Sequence, residues 1–266
     1  MTTANELPPP KALNECGALI IGGTAGIGFA TAKALAQAGV PRIVIVGRNP
    51  ERGEPAAKSL TDLGADAHFL AGSPLDPADA AEIAADAERL LGGIDIMMCT
   101  TAADGIAPEL FKDIPASDIS RILTEMATPA MHMASAVLPG MRSRKGGVIV
   151  NVASDAAKTA TPGEAMIGAA KAAIVMFTRT LAIEEKRHGI RANALTPSLV
   201  HGTASTERIT SGEGFSAKLF ASAAKQASLG VPDADDIAAL AVFVCSPAAG
   251  KLTGQAISVN GGISAA

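Results

Sequence analysis

A run of spaced glycines, Gly22-Gly23-Thr24-Ala25-Gly26-Ile27-Gly28, follows one apolar stretch and leads into an amphipathic one. A strand before and a helix after is the context in which such a turn holds a phosphate. Gly22 permits a tight turn, Gly26 lets the backbone approach a pyrophosphate, and Gly28 lets the helix lie close to the sheet. The helix N-terminus then offers free N–H groups and the positive end of its dipole. The second apolar run ends Val46-Gly47-Arg48-Asn49. An NAD site places a carboxylate at this point for the ribose 2′-hydroxyl. Gly47 stands there instead, with Arg48 next, and a guanidinium suits a 2′-phosphate through bidentate, charge-assisted bonds. NADP(H) is therefore expected over NAD(H).

Other chemistry is scarce. The chain has no tyrosine and no tryptophan, so no phenol is available for proton transfer. The four histidines and three cysteines lack ligand spacing, and no metal site is expected. Cys99 reads as a small buried hydrophobe rather than a nucleophile. Met126, Met131 and Met133 read as core or interface residues, and His132 as a packing or interface residue.

These groups must be positioned by regular elements. Val- and Ile-rich runs of strand length occur at Gly17–Gly22, Ile43–Gly47, Ala67–Ala71, Ile94–Cys99, Gly147–Ala153, Arg191–Leu195 and Ala256–Val259. They lack in/out alternation, as strands buried on both faces of a parallel sheet do. Helical stretches lie between them at Ile27–Ala38, Glu51–Leu63, Pro77–Leu91, Ala116–Met141, Gly163–His188 and Asp233–Val244. This alternation predicts an α/β fold, a Rossmann-type doubly wound parallel sheet of about seven strands with helices on both faces. A single domain over 13–266 is expected, preceded by a flexible arm over 1–12 that contains Pro8-Pro9-Pro10. The segment 200–229 is rich in small and polar residues and follows a strand end. It reads as a lid over a ligand site, with His201 in a position to touch substrate.

Composition narrows the partners. Hydrophobic residues make up 48% of the 266-residue chain and charged residues 18%, which suits a large core. Net charge is −4 and no basic stripe is present, so nucleic acid is not an expected partner. No uninterrupted apolar run approaches a membrane span, and the N-terminus carries no signal pattern. With scattered cysteines, the expectation is a soluble, cytoplasmic protein without a disulfide framework.

The order of motifs resembles the short-chain dehydrogenase/reductase family from about Ala18 to Ile263. The glycine spacing Gly-x-x-x-Gly-x-Gly is that family's. Gly147-Val-Ile-Val-Asn-Val-Ala-Ser154 resembles its fifth strand, which ends in a catalytic Ser. Pro162-Gly163 and Ala169-Ala170-Lys171-Ala172-Ala173 resemble the start of its active-site helix. Gly189-Ile-Arg-Ala-Asn193, Thr196-Pro197 and Val259-Asn260-Gly261-Gly262 resemble later segments. The resemblance implies catalytic roles for Ser154 and Lys171. It also implies a coenzyme site of Gly22, Thr24, Gly26, Ile27, Gly28, Arg48, Asn49, Thr100, Lys171, Pro197 and Val200.

The family's helix carries Tyr-x-x-x-Lys, with the Ser thirteen residues before the Tyr. Here that position is Ile167. Ile transfers no proton. Further departures are Cys99-Thr100-Thr101-Ala102 in place of Asn-Asn-Ala-Gly, Met126 in place of a helical Asn, and Ser198 in place of Gly. Lys171, directly or through water, is the candidate donor. Asp155 is read as facing solvent in preference to the cleft, and Glu164 as a first-turn carboxylate complementing the helix dipole.

The expectation is an NADP(H)-dependent oxidoreductase acting on a small carbonyl or conjugated C=C substrate with a non-standard proton donor. Gly168-Ala-Ala-Lys-Ala-Ala is similar to the 2,4-dienoyl-CoA reductase branch, which also lacks this Tyr but uses a Tyr from elsewhere. The alternative is a nucleotide-binding protein of this fold without redox activity. The resemblance further implies a homodimer or homotetramer built on the two long helices.

Overall fold

A computed structural model describes residues 7–203, 206–207 and 214–266. Seven parallel strands form one sheet in the order β3-β2-β1-β4-β5-β6-β7. They are β1 Gly17–Ile21, β2 Arg42–Gly47, β3 Asp66–Ala71, β4 Ile96–Cys99, β5 Gly147–Val152, β6 Ile190–Leu195 and β7 Ala256–Ile257. The helices are α1 Gly26–Gln37, α2 Pro50–Asp62, α3 Pro77–Leu91, α4 Ile119–Arg144, α5 Ala165–Glu185, α6 Phe215–Gln226 and α7 Ala234–Cys245. The doubly wound sheet predicted from the strand–helix alternation is the one observed.

The absence of alternation in the strands has a direct structural counterpart. Leu19 and Ile21 of β1, Val44 and Val46 of β2, and Met97 and Cys99 of β4 enter one core with residues of α3, α4 and α5. Their neighbours Ala18, Ile20, Ile43, Ile45, Ile96 and Met98 enter a second core with α1, α2 and α7. Successive side chains point to opposite faces, and both faces are covered, so the central positions of β1, β2 and β4 are apolar.

Element ends differ from the sequence expectation where a local interaction intervenes. α5 begins at Ala165 because Gly163 takes φ +86°, outside the helical region. α4 begins at Ile119, after a 3-10 turn over Ala116–Asp118. β4 begins at Ile96 because Asp95 is drawn away: its buried carboxylate accepts from Gly17 N at 3.0 Å and Lys11 Nζ at 2.7 Å. That contact fastens the end of the segment predicted as a flexible arm; residues 1–6 lie outside the described residues.

Among the described residues, one helical segment, Ala165–His188, is long and apolar enough to cross a membrane by length and composition, although no uninterrupted apolar run predicted it. Half of its apolar window is buried inside the protein, as in a core helix. The three cysteines are buried and free.

Candidate functional site

Strand order reverses between β1 and β4, and in such sheets ligands bind outside the carboxyl ends of the strands at that switch point. The glycine turn leaves β1 there. Gly22 has φ +76°, a conformation that disfavours any side chain. A Cβ on Gly28 would lie 2.3 Å from Gly22 O and 2.6 Å from Thr100 Oγ1, so only glycine fits. Thr100, the residue after β4, donates its hydroxyl to Ile21 O at 2.8 Å, with Gly22 O at 3.2 Å, and ties the turn to the neighbouring strand.

The helix ends discriminate among themselves. α2, α3 and α7 start on side-chain caps from Asn49, Asp76 and Asp233. α1 starts on Ala25, which has no side chain to cap with. No capping side chain takes its first N–H groups, and the glycines beside them leave room for a ligand. A dinucleotide pyrophosphate fits this cradle.

The other coenzyme candidates take varied places. Thr24 packs against Gly47, where a Cβ would come within 2.7 Å of its methyl group. Ile27 is half-buried against the second core. Pro197 is buried, and its carbonyl accepts from Asp155 N at 2.8 Å. Val200 is buried in the second core, and its carbonyl accepts from Thr203 Oγ1. Asn49 spends its side-chain oxygen on Glu51 N. Arg48 Nη1 lies 2.6 Å from Asp104 Oδ2, so the guanidinium already has a carboxylate partner.

On the catalytic side, Ser154 lies two residues beyond the end of β5 and Lys171 two turns into α5. Ser154 Oγ accepts from Ala156 N at 3.2 Å, and among the described residues its O–H donates to none. Lys171 is buried, and burial pushes its pKa below the usual lysine range. Its Nζ donates to Val152 O at a loose 3.4 Å. Cys99 lies near the ammonium, and burial raises the pKa of its thiol. Ile167 packs against the first core one turn before Lys171. No proton-bearing group replaces the phenol at that point of the helix.

Two acidic residues differ from their sequence reading. Asp155, expected to face solvent, is buried and accepts from Ser264 Oγ at 2.7 Å and Ser258 Oγ at 3.5 Å. Serines brought in from the chain's end supply the partners that make its burial affordable. Glu164 sits at the N-cap of α5 rather than within its first turn. Burial raises its pKa; Thr161 lowers it and the nearby Asp155 raises it further.

Sequence reasoning missed several contacts. Lys158 donates to Ser258 Oγ at 2.8 Å and also reaches the Ala266 carbonyl. Phe215, at the start of α6, sits over Gly163, where a Cβ would meet its ring at 2.3 Å. Ser216 Oγ donates to Pro108 O at 2.7 Å. A cleft of about 370 Å³ opens between these groups, lined by Gly105, Pro108, Glu109, Leu110, Phe215 and Ser216. Residues 204–205 and 208–213 of the expected lid lie outside the described residues. His201 is exposed, and its backbone N–H donates to Pro232 O. Met126 and Met133 are buried in the first core, and His132 packs on Pro74 O at 3.0 Å. None of these partners is near its mate in sequence, so no local pattern marks them.

The sequence profile described as short chain dehydrogenase matches residues 17–214. The chain is 31% identical to the Homo sapiens protein called dehydrogenase/reductase SDR family member 4, covering 92% of this chain and 86% of that one. It is 30% identical to gluconate 5-dehydrogenase of Gluconobacter oxydans, covering 96% and 97%. Among solved structures, a 7α-hydroxysteroid dehydrogenase complexed with NADH and 7-oxo glycochenodeoxycholic acid superposes with a TM-score of 0.86 at 26% identity, covering 94% and 95%.

Proposed function

Since the chain belongs to the short-chain dehydrogenase/reductase family, we propose that it is an NADP(H)-dependent oxidoreductase acting on a small carbonyl or conjugated C=C substrate with a proton donor other than tyrosine. The observation that carries this reading is the conjunction of a glycine cradle closed to any side chain with Ile167 beside a buried Lys171. The coenzyme site has been kept while the usual acid has gone.

The bound coenzyme supplies the hydride. Gly22, Gly26 and Gly28 with the open end of α1 would hold its pyrophosphate, Arg48 its 2′-phosphate, and Lys171 its nicotinamide ribose. Ser154 is suited to hold a substrate oxygen, because its Oγ accepts from Ala156 N and leaves its own O–H free to donate. Lys171 then delivers the proton from Nζ, directly or through water. Its depressed pKa makes the ammonium a stronger acid near neutral pH than an exposed lysine. Reduction of a conjugated C=C puts the proton on carbon, which relaxes the need for a phenol beside an oxygen. A homodimer or homotetramer through α4 and α5 completes the reading. Met176 and Ile183 stand seven residues apart on one face of α5, 60% and 61% exposed.

Calorimetric titration with NADPH and with NADH tests the coenzyme assignment. Tight NADPH binding with weaker NADH binding supports it and directs a screen of enones and ketones. Binding of neither would sink it and leave a non-redox use of the fold.

A further inference from the structure

Arg48 was expected to stand ready for a 2′-phosphate, and the structure gives it a partner from another part of the chain. Its Nη1 lies 2.6 Å from Asp104 Oδ2, with the two side chains 61% and 66% exposed. Arg48 is the first residue after β2, and Asp104 lies five residues beyond the end of β4. In the sheet, β1 runs between those two strands. The glycine turn leaves the carboxyl end of β1, so the ion pair joins the two loops that flank the turn. The pair therefore lies at the same end of the sheet as the turn and the open end of α1.

We propose that Asp104 is a coenzyme-specificity residue that competes with a 2′-phosphate for the Arg48 guanidinium. The inference rests on the NADP(H) reading above. A phosphate offers more charge and more acceptor oxygens than a carboxylate, and the guanidinium fork suits both. The phosphate therefore takes the guanidinium and Asp104 gives way. Displaced, Asp104 is a negative charge beside a more negative one, a repulsion that an unphosphorylated ribose does not meet. The pair is exposed, so breaking it costs little, and the exchange lowers NADPH affinity without forbidding it. Arg48 and Asp104 thus oppose one another: the first favours the phosphorylated coenzyme and the second narrows its advantage.

The test is calorimetric titration of the full chain with NADPH and NADH, for the wild type, Asp104→Asn, Arg48→Ala and the double variant. Exposed ion pairs are worth up to roughly a fivefold factor in an equilibrium. Asp104→Asn is expected to tighten NADPH by about that factor and to leave NADH within about twofold. Arg48→Ala should weaken NADPH by at least about tenfold, since it removes a charge-assisted contact. In the Arg48→Ala background, Asp104→Asn should keep only the smaller part of its effect that comes from charge repulsion, because the competition for the guanidinium has no object. Both side chains are exposed, and matching thermal midpoints for the variants would show that folding is intact. An unchanged NADPH-to-NADH ratio in Asp104→Asn, with the wild type binding NADPH, overturns this inference alone. A wild type that binds neither nucleotide overturns it together with the coenzyme assignment.

Discussion

Ile167 and Lys171 lie on one helix face, but only the second can move a proton. Ile167→Tyr restores a phenol at the position where the family carries one. Positioned general acids are typically worth about 10²–10⁴-fold, so ketone reduction should rise by at least about 100-fold. Reduction of enones should change far less. Steady-state rates on a panel of both substrates check this. No gain on any ketone, in a variant that folds and binds NADPH, would show that the cavity no longer has the family's geometry. Lys171 carries a second prediction. It is buried with one loose acceptor, Val152 O at 3.4 Å, and burial depresses its pKa. The unfolded chain therefore binds the lysine proton more readily than the native protein does. The resulting deficit in stability is full below the native pKa and vanishes as pH rises through the ordinary lysine value of about 10.4. Lys171→Met should stabilise the coenzyme-free protein by about 1 kcal/mol at pH 7 and by almost nothing above about pH 10.5. Urea titrations at the two pH values measure the difference. Equal effects at both would mean that the native ammonium is not penalised.

At the scale of elements, the β1 turn and α1 are held by contact rather than by propensity. Gly28 has no room for a methyl group, with Gly22 O 2.3 Å from where it would go. Gly28→Ala should cost about 1–3 kcal/mol through overpacking. It should also weaken NADPH binding at least about tenfold, because the turn and the end of α1 must move apart. Thermal unfolding and calorimetry read the two effects separately; full affinity would mean that the cradle tolerates the side chain and is not the binding element. The glycine turn was legible in the sequence because its requirements are local: a strand, a spacing and a helix. The caps on α2, α3 and α7 are local too, and those helices start within a residue of expectation. The starts of α4, α5 and β4 were missed for different reasons. β4 yields to a bond between Asp95 and Gly17, 78 residues apart. α5 yields to the left-handed backbone of Gly163, over which Phe215 packs.

For the whole molecule, the two-faced burial of the strands made the sheet and its topology class readable from Val- and Ile-rich runs. Pairings across the sheet's carboxyl end were not readable, since Arg48 with Asp104, and Asp155 with Ser264, join charges or dipoles that sequence treats as unrelated surface residues. The surface holds one further expectation. Met176 and Ile183 put large apolar groups on one face of α5, which a monomer would leave in water. Ile183→Asp should shift the sedimentation of a dimer or tetramer toward a smaller species at micromolar concentration, with far-UV circular dichroism unchanged. A wild type that sediments as a monomer would contradict the assembly.

The last residues of the chain lie against the loop that carries Ser154: Ser264 bonds Asp155, Ser258 joins Asp155 to Lys158, and Lys158 reaches the Ala266 carbonyl. This has a practical meaning for anyone handling the protein. A bulky substitution at Ser258 or Ser264 would press on the neighbourhood of the hydroxyl meant to hold the substrate, so a search for variants of altered activity should include both serines.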